Sequence, residues 1–294
     1  MLRHLNGKSA HPTRVIVVGA GGFIGGAIAR KCAASGTPVV GLGRKDIDLL
    51  AADAAARLGD VLRPDDTLVI VSARAPCKTP AMMRENIAMM AVVCEALARR
   101  PVAHGVYISS DAVYADGPLP LTESSPAAPT SLHGAMHLAR EQMLLAAAGA
   151  VPVAILRPTL VYGAGDPHNG YGPNRFRRHA NRNETIVLFG DGEERRDHVD
   201  VDDIAEIVRL VAEHRSAGIL NIATGSVASF RDLAQKAVAL SRHDVAIQNS
   251  PRNGPMPHNG YRPFDPAATF SAFPGFRYTA IDAGLARAQA QEFG

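Results

Sequence analysis

Seven residues, Gly19-Ala20-Gly21-Gly22-Phe23-Ile24-Gly25, follow an apolar run at 15–18 and open a segment of helical character at 23–34. Without side chains at Gly19 and Gly22, the backbone can turn sharply and bring its N–H groups, with the positive end of the helix, against an anion. Gly25 lets the helix pack close to the preceding strand. The spacing is Gly-x-x-Gly-x-x-Gly, and a glycine motif alone is weak evidence; the strand-turn-helix setting makes it a candidate pyrophosphate cradle, with a plain structural turn as the alternative. At the end of the next apolar run, 38–42, Gly43 stands about where an acidic residue would bind the ribose hydroxyls of NAD, and Arg44 and Lys45 follow. A cation there suits the 2′-phosphate of NADP, so NADP is favoured over NAD; a solvated basic loop is the bland alternative.

A second group with chemical potential is His133 and His137, four residues apart in a helical stretch at 132–148. An imidazole with a pKa near 6.5 is a better base at neutral pH than most side chains. The pair shares a helix face, as zinc-binding histidines do, but no further ligand is evident and no metal is predicted. Asn174-Arg175-Phe176-Arg177-Arg178-His179 is the densest basic cluster, too narrow for a nucleic-acid face. It reads either as an anion-binding loop or as a solvated helix face.

These groups need a scaffold. Apolar runs of strand length at 15–18, 38–42, 67–71, 106–109 and 151–156 alternate with helical segments at 23–34, 51–58, 80–100 and 132–148. That alternation predicts an α/β fold, a Rossmann-type doubly wound parallel sheet. After residue 157 the texture changes to Gly, Asn, Pro and Arg-rich stretches at 163–183 and 249–266, between strands at 186–189 and 219–222 and helices at 201–213 and 230–240. The expected organisation is an NAD(P)-binding domain at 14–165, with returning segments near 197–225, and a smaller C-terminal substrate-binding lobe from 166–196 and 226–294. Residues 1–13 read as a loose leader.

With 294 residues, 47% of them hydrophobic, the chain can bury a large core without staples. The net charge of +3 is too small to imply nucleic acid but tolerates an anionic substrate. Three cysteines, Cys32, Cys77 and Cys94, form no C-x-x-C pair and read as thiols in a reducing cytosol. The basic start and the apolar run at 15–29 imitate a targeting segment, but five glycines and a length below about 20 residues argue for strand, turn and helix. A cytoplasmic protein without a membrane partner is expected.

Several local patterns, in order, resemble the extended short-chain dehydrogenase/reductases, or NAD-dependent epimerase/dehydratase family, from about residue 14 to about 285. Besides the glycine loop they are Arg44-Lys45-Asp46-Ile47-Asp48-Leu49, Val71-Ser72-Ala73-Arg74, Asn86 on its long helix, Tyr107-Ile108-Ser109-Ser110-Asp111-Ala112-Val113-Tyr114, Leu156-Arg157-Pro158-Thr159, Arg196-Asp197-His198-Val199-Asp200 and Asn221-Ile222-Ala223-Thr224-Gly225. The resemblance implies cofactor contacts at Gly19, Gly22, Phe23, Ile24, Gly25, Arg44, Asp48, Leu49, Ser72, Ala73, Asn86 and Pro158. It implies a catalytic serine at Ser110 and substrate contacts at Asp111, Arg196 and Arg252, the arginines as clamps on a nucleotide diphosphate.

The departure lies on the following helix. Where the family has Tyr-x-x-x-Lys, this chain has His133 and His137. An imidazole needs no neighbouring cation to activate it, but it is shorter than a phenol by on the order of 2 Å, and a misplacement of about 1 Å can cost a hundredfold in rate. The resemblance therefore implies an NAD(P)-dependent reductase or epimerase on a nucleotide-activated sugar with Ser110, His133 and His137 in the catalytic positions. A catalytically silent cofactor-binding subunit and an enzyme on a small non-nucleotide carbonyl substrate are the alternatives. Asp111-Ala112 lacks the glutamate of the family's 4,6-dehydratases, which argues against dehydration. The family's habit of pairing two long helices implies a homodimer through 81–99 and 131–148, where Met82, Met83, Met89 and Met90 would pack adaptably.

Overall fold

Strands and helices alternate through the first half of the computed structural model, which describes residues 2–294. In order they are β1 (Arg14–Val18), α1 (Phe23–Ala34), β2 (Val39–Leu42), α2 (Ala54–Val61), β3 (Asp66–Ile70), α3 (Pro80–Arg99), β4 (His104–Ile108), α4 (Leu132–Ala148) and β5 (Val153–Pro158). The second half adds β6 (Leu160–Tyr162), α5 (Pro173–Asn181), β7 (Ile186–Phe189), β8 (Arg195–Asp200), α6 (Val201–Glu213), β9 (Gly218–Ile222), β10 (Val227–Ser229), α7 (Phe230–Leu240), β11 (Ile247–Ser250), β12 (Tyr261–Arg262), α8 (Ala267–Ala272) and α9 (Ile281–Phe293).

Six strands form one parallel sheet in the order β2-β1-β3-β4-β5-β9. The period-two alternation of β1 sends Val15 and Val17 to a layer with α1 and α6, and Ile16 and Val18 to a layer with α2 and α3. Both faces are covered, which is why these strands read as unbroken apolar runs. The chain leaves β1 for β2 on one side and β3 on the other. The loops after β1 and β3 therefore diverge and leave a crevice at the carboxyl ends of the strands.

The second half builds two small sheets, β10-β8-β12 with β6 beside β8, and β7 with β11. Tyr162, Phe176, Leu188, Phe230 and Leu233 gather α5, α7 and α9 around a separate apolar cluster.

Three expectations need correction. The stretch 163–183 contains α5, which begins with Pro173 at its first turn. The basic cluster 174–179 is on a helix, but its face is not fully solvated: Arg177 is buried, and Arg177 and Arg178 pair with Glu292 of α9 at 3.0 and 2.7 Å. The second helix starts at Ala54, not 51. Residues 3–10 are not loose: Arg3 bridges Ala217, Leu5 and Asn6 N–H groups donate to the His214 carbonyl, and Ala10 N–H donates to that of Glu213. His4 locks this strap, with Nδ1 2.7 Å from Ser216 Oγ and Nε2 2.9 Å from the Ala272 carbonyl. Met1 lies outside the described residues. Among the described residues no helix is long and apolar enough to cross a membrane.

Candidate active site

The crevice opens into a cleft of about 750 Å³. One wall is the glycine loop. Gly19 has φ +101°, and a Cβ there would lie 2.7 Å from the Ser72 nitrogen, so only glycine lets the loops after β1 and β3 touch. Helix α1 has Gly22 as its N-cap, with no side-chain cap bond and no acid in its first turn. Its leading N–H groups and positive dipole end are left for an anion, so the residues present fit the pyrophosphate of a dinucleotide. Gly19, Gly22, Phe23, Ile24 and Gly25 all line the cleft, as do Ser72 and Ala73 from the loop after β3. Arg44, Asp48 and Leu49 line its far end; Arg44 is largely exposed, with Nε 3.6 Å from Asp48.

Asn86 and Pro158 are not part of the wall, and neither are Ser110, Asp111, Arg196 and Arg252. Asn86 is buried in α3, where its Oδ1 accepts from Arg74 N–H at 2.9 Å and its Nδ2 donates to the Arg74 and Met82 carbonyls. It shapes the loop that lines the cleft. Pro158 closes the buried strand β5, and Leu160 and Val161 form the wall beyond it.

His133 is the second residue of α4, after the N-cap Ser131, whose Oγ accepts from Gly134 N–H at 3.1 Å. A Cβ on Gly134 would fall 2.0 Å from the Ala112 carbonyl oxygen. That glycine lets the start of α4 sit against the loop carrying Ser110 and Asp111. Farther along α4, Glu141 takes a bidentate pair from buried Arg157 at 2.9 and 2.6 Å and a hydrogen bond from Ser109 at 2.5 Å, fixing the helix to the sheet.

The two histidines part company. His133 lines the cleft, and its Nδ1 accepts from Cys77 N–H at 3.3 Å. The neutral ring therefore carries its proton on Nε2. Burial lowers its pKa and the nearby charge of Asp111 partly offsets this; the positive end of α4 also disfavours the imidazolium. His137 is buried, outside the cleft wall, with Nδ1 2.8 Å from Tyr107 Oη. Burial, then His133 and Arg140, hold its pKa well below the ordinary value. Arg140, fully buried and, among the described residues, without a carboxylate partner, donates to the Ser72 carbonyl at 2.7 Å and lies over the Tyr107 ring.

Ser110 Oγ accepts from Ala112 N–H at 3.1 Å, capping a single 3₁₀ turn, and lies 3.4 Å from Asp111 Oδ1. Asp111 faces both His133 and Arg196, whose charges it influences, and sits 3.4 Å from Arg262 Nε. Arg196 is backed by Glu194 at 2.9 Å, and Arg252 reaches the same carboxylate at 3.5 Å. Arg262 and His198 escaped the sequence. Arg262 stands in register with Arg196 across the β12–β8 pair and donates to the Asp111 carbonyl at 2.9 Å; no local pattern announces a two-residue strand. His198 lines the cleft from β8. It lay inside a motif already noted for Arg196, where period-two alternation puts 196 and 198 on one face. Among the described residues no cluster of three or more His, Cys, Asp or Glu side chains is arranged to hold a metal.

A model of the NAD dependent epimerase/dehydratase family matches residues 15–223. The dTDP-6-deoxy-L-talose 4-dehydrogenase (NAD(P)(+)) of Kitasatospora kifunensis is 29% identical over 278 residues, 86% of this chain and 87% of that protein. The dTDP-L-rhamnose 4-epimerase of Burkholderia thailandensis is 33% identical over 138 residues, 44% of this chain and 38% of its own length. Among solved structures, MoeE5 in complex with UDP-glucose and NAD superposes with a TM-score of 0.80 at 26% identity, covering 94% of this chain and 97% of that one. UDP-glucose 4-epimerase of Thermus thermophilus in complex with NAD gives a TM-score of 0.82 at 23% identity, covering 94% and 98%, a likeness of fold. With the glycine cradle, the parallel sheet and the family match together, the chain belongs to the NAD-dependent epimerase/dehydratase family.

Proposed function

We propose that the protein is an NAD(P)-dependent reductase or epimerase acting on a nucleotide-activated sugar. The observation that carries this is the shared cleft: the glycine loop, His133, Tyr171 of the smaller lobe and His198 line one cavity. A bound nicotinamide would supply or accept a hydride at the sugar carbon. With Nδ1 engaged by Cys77, His133 offers Nε2–H as a hydrogen-bond donor to the reacting oxygen, which suits a carbonyl being reduced better than a hydroxyl losing its proton. Taking a proton at Nε2 would first require Nδ1 to turn from acceptor to donor, against the Cys77 N–H. Asp111 and Arg262 tie the serine loop to the second lobe, and Arg196 beside them is the candidate diphosphate contact. Asp111-Ala112 supplies no glutamate for water elimination, so 4,6-dehydration is not part of the proposal.

Arg44 in the cleft wall, after Gly43, supports NADP over NAD. Calorimetry with both cofactors decides, and equal or tighter NAD binding defeats the preference. Three free cysteines fit a cytoplasmic location, and the exposed Leu145 on α4 fits a homodimer through α3 and α4. Sedimentation showing a monomer at micromolar concentration would count against that dimer; Met89 and Met90, at least, are buried within the chain itself.

The activity test is nicotinamide turnover with dTDP- and UDP-activated 4-keto and 4-hydroxy sugars. If wild type is inactive while His133→Tyr with His137→Lys gains turnover, the natural protein is a silent binder.

A further inference from the structure

The second imidazole of the cleft carries a lone pair that the protein leaves unused. His198 is 5% exposed, sits on β8 among the cleft-lining residues, and packs edge-on against Phe230 at 5.8 Å. Its Nδ1 lies 3.0 Å from the Arg196 carbonyl, which can only accept, so Nδ1 carries the proton and Nε2 is a bare acceptor. Among the described residues Nε2 has no partner. A buried acceptor without a donor is costly, and a ligand that brings the donor recovers the cost. His133, in the wall of the same cleft, carries the opposite tautomer.

We propose that His198 Nε2 accepts a hydrogen bond from a hydroxyl of the bound sugar nucleotide, which makes His198 a specificity-determining residue. This rests on the nucleotide-sugar reading given above. The amide N–H₂ of the nicotinamide offers the same chemistry. The sugar is favoured because His198 stands on β8, a strand of the small sheet outside the six-stranded one, on the face that also carries the proposed diphosphate contact Arg196. The ring serves to bind rather than to take a proton, because burial has pushed its pKa down to about 4.

The test is calorimetry of NAD, NADP, UDP, UDP-glucose and dTDP-glucose with wild type, His198→Asn and His198→Gln. Asparagine can keep the bond to the Arg196 carbonyl and removes the cleft acceptor; glutamine restores an oxygen near Nε2. Expected is a loss of about tenfold to a hundredfold for the sugar nucleotides with His198→Asn, with cofactor and UDP binding unchanged and partial recovery in His198→Gln. Sugar-nucleotide affinity equal in wild type and His198→Asn overturns the role of His198 alone. Lost cofactor affinity assigns the donor to nicotinamide and overturns the sugar contact. A wild type that binds cofactor but neither sugar nucleotide defeats the functional reading, and this inference with it. Imidazole nitrogen NMR of the unmodified protein needs no variant: a proton on Nδ1 of His198 supports the proposal, and one on Nε2 overturns it.

Discussion

The glycine cradle and the start of α4 line one cleft, but they are made differently. The cradle is backbone: Gly19 and Gly25 allow contacts that any Cβ would forbid, the tightest being 2.2 Å from a Gly25 Cβ to the Gly19 carbonyl oxygen. The start of α4 is made of side chains whose states are set by distant partners, Cys77 N–H for His133 and Tyr107 Oη for His137. A function made by backbone is written into a short run of residues; one made by side chains is settled only when remote segments meet.

The largest effect expected from breaking the cradle is with Gly25→Val. Its branched side chain must displace the loop, and dinucleotide affinity should fall by about a hundredfold or more in calorimetry. Survival of binding would mean that the loop is not the cradle. On the other side of the comparison, His133→Ala should lower turnover by about a hundredfold while leaving cofactor affinity unchanged, because the interaction is made in the transition state. Loss of cofactor affinity instead would move His133 from chemistry to binding.

Much of the fold could be anticipated. The limits of α1, α4, α6 and α7 agree with the helical segments read from the sequence, and the structure shows Ser131 and Ser229 as the N-caps of α4 and α7. The cradle was legible for the reason given above. What the sequence concealed was pairing between distant short strands, β8 with β10 and β12, which brings Arg262 beside Arg196. It also concealed the inward turn of His137. Spacing places 133 and 137 on one helix face, but it does not say which of them will find a tyrosine beneath the helix.

Buried histidines give the third expectation. His104 and His198 have pKa values pushed down to about 4 by burial, and that of His137 is held well below its ordinary value. The unfolded chain takes up these protons near pH 6.5 and the folded chain only at lower pH, about 4 for His104 and His198, so the unfolded state binds more protons in between. Stability is therefore full above about pH 6.5 and falls toward pH 4, by up to about 1.4 kcal/mol per pH unit for each such histidine. Urea midpoints measured from pH 7.5 to 4.5 check this, and a flat profile would contradict it.

His137→Ala should cost about 2 kcal/mol of stability by leaving a void and stranding the Tyr107 hydroxyl, with less effect on turnover than His133→Ala. A larger kinetic effect than that of His133→Ala would restore His137 to the site. Smallest is Arg44→Ala, expected to weaken NADP by about tenfold and leave NAD alone. If both cofactors weaken equally, Arg44 reads the shared phosphates instead.

The strap of residues 3–10 also bears on the order of events during synthesis. His4 meets Ser216 across 212 residues, and Arg3 pairs with Ala217 at the threshold of β9, an edge of the large sheet. While a ribosome makes the chain from its amino end, β1 through β5 can assemble before the strap has anything to hold. The strap can close only after α6 and the start of β9 emerge, so a nascent chain stalled short of residue 217 should leave residues 3–10 open to proteases that the finished protein resists.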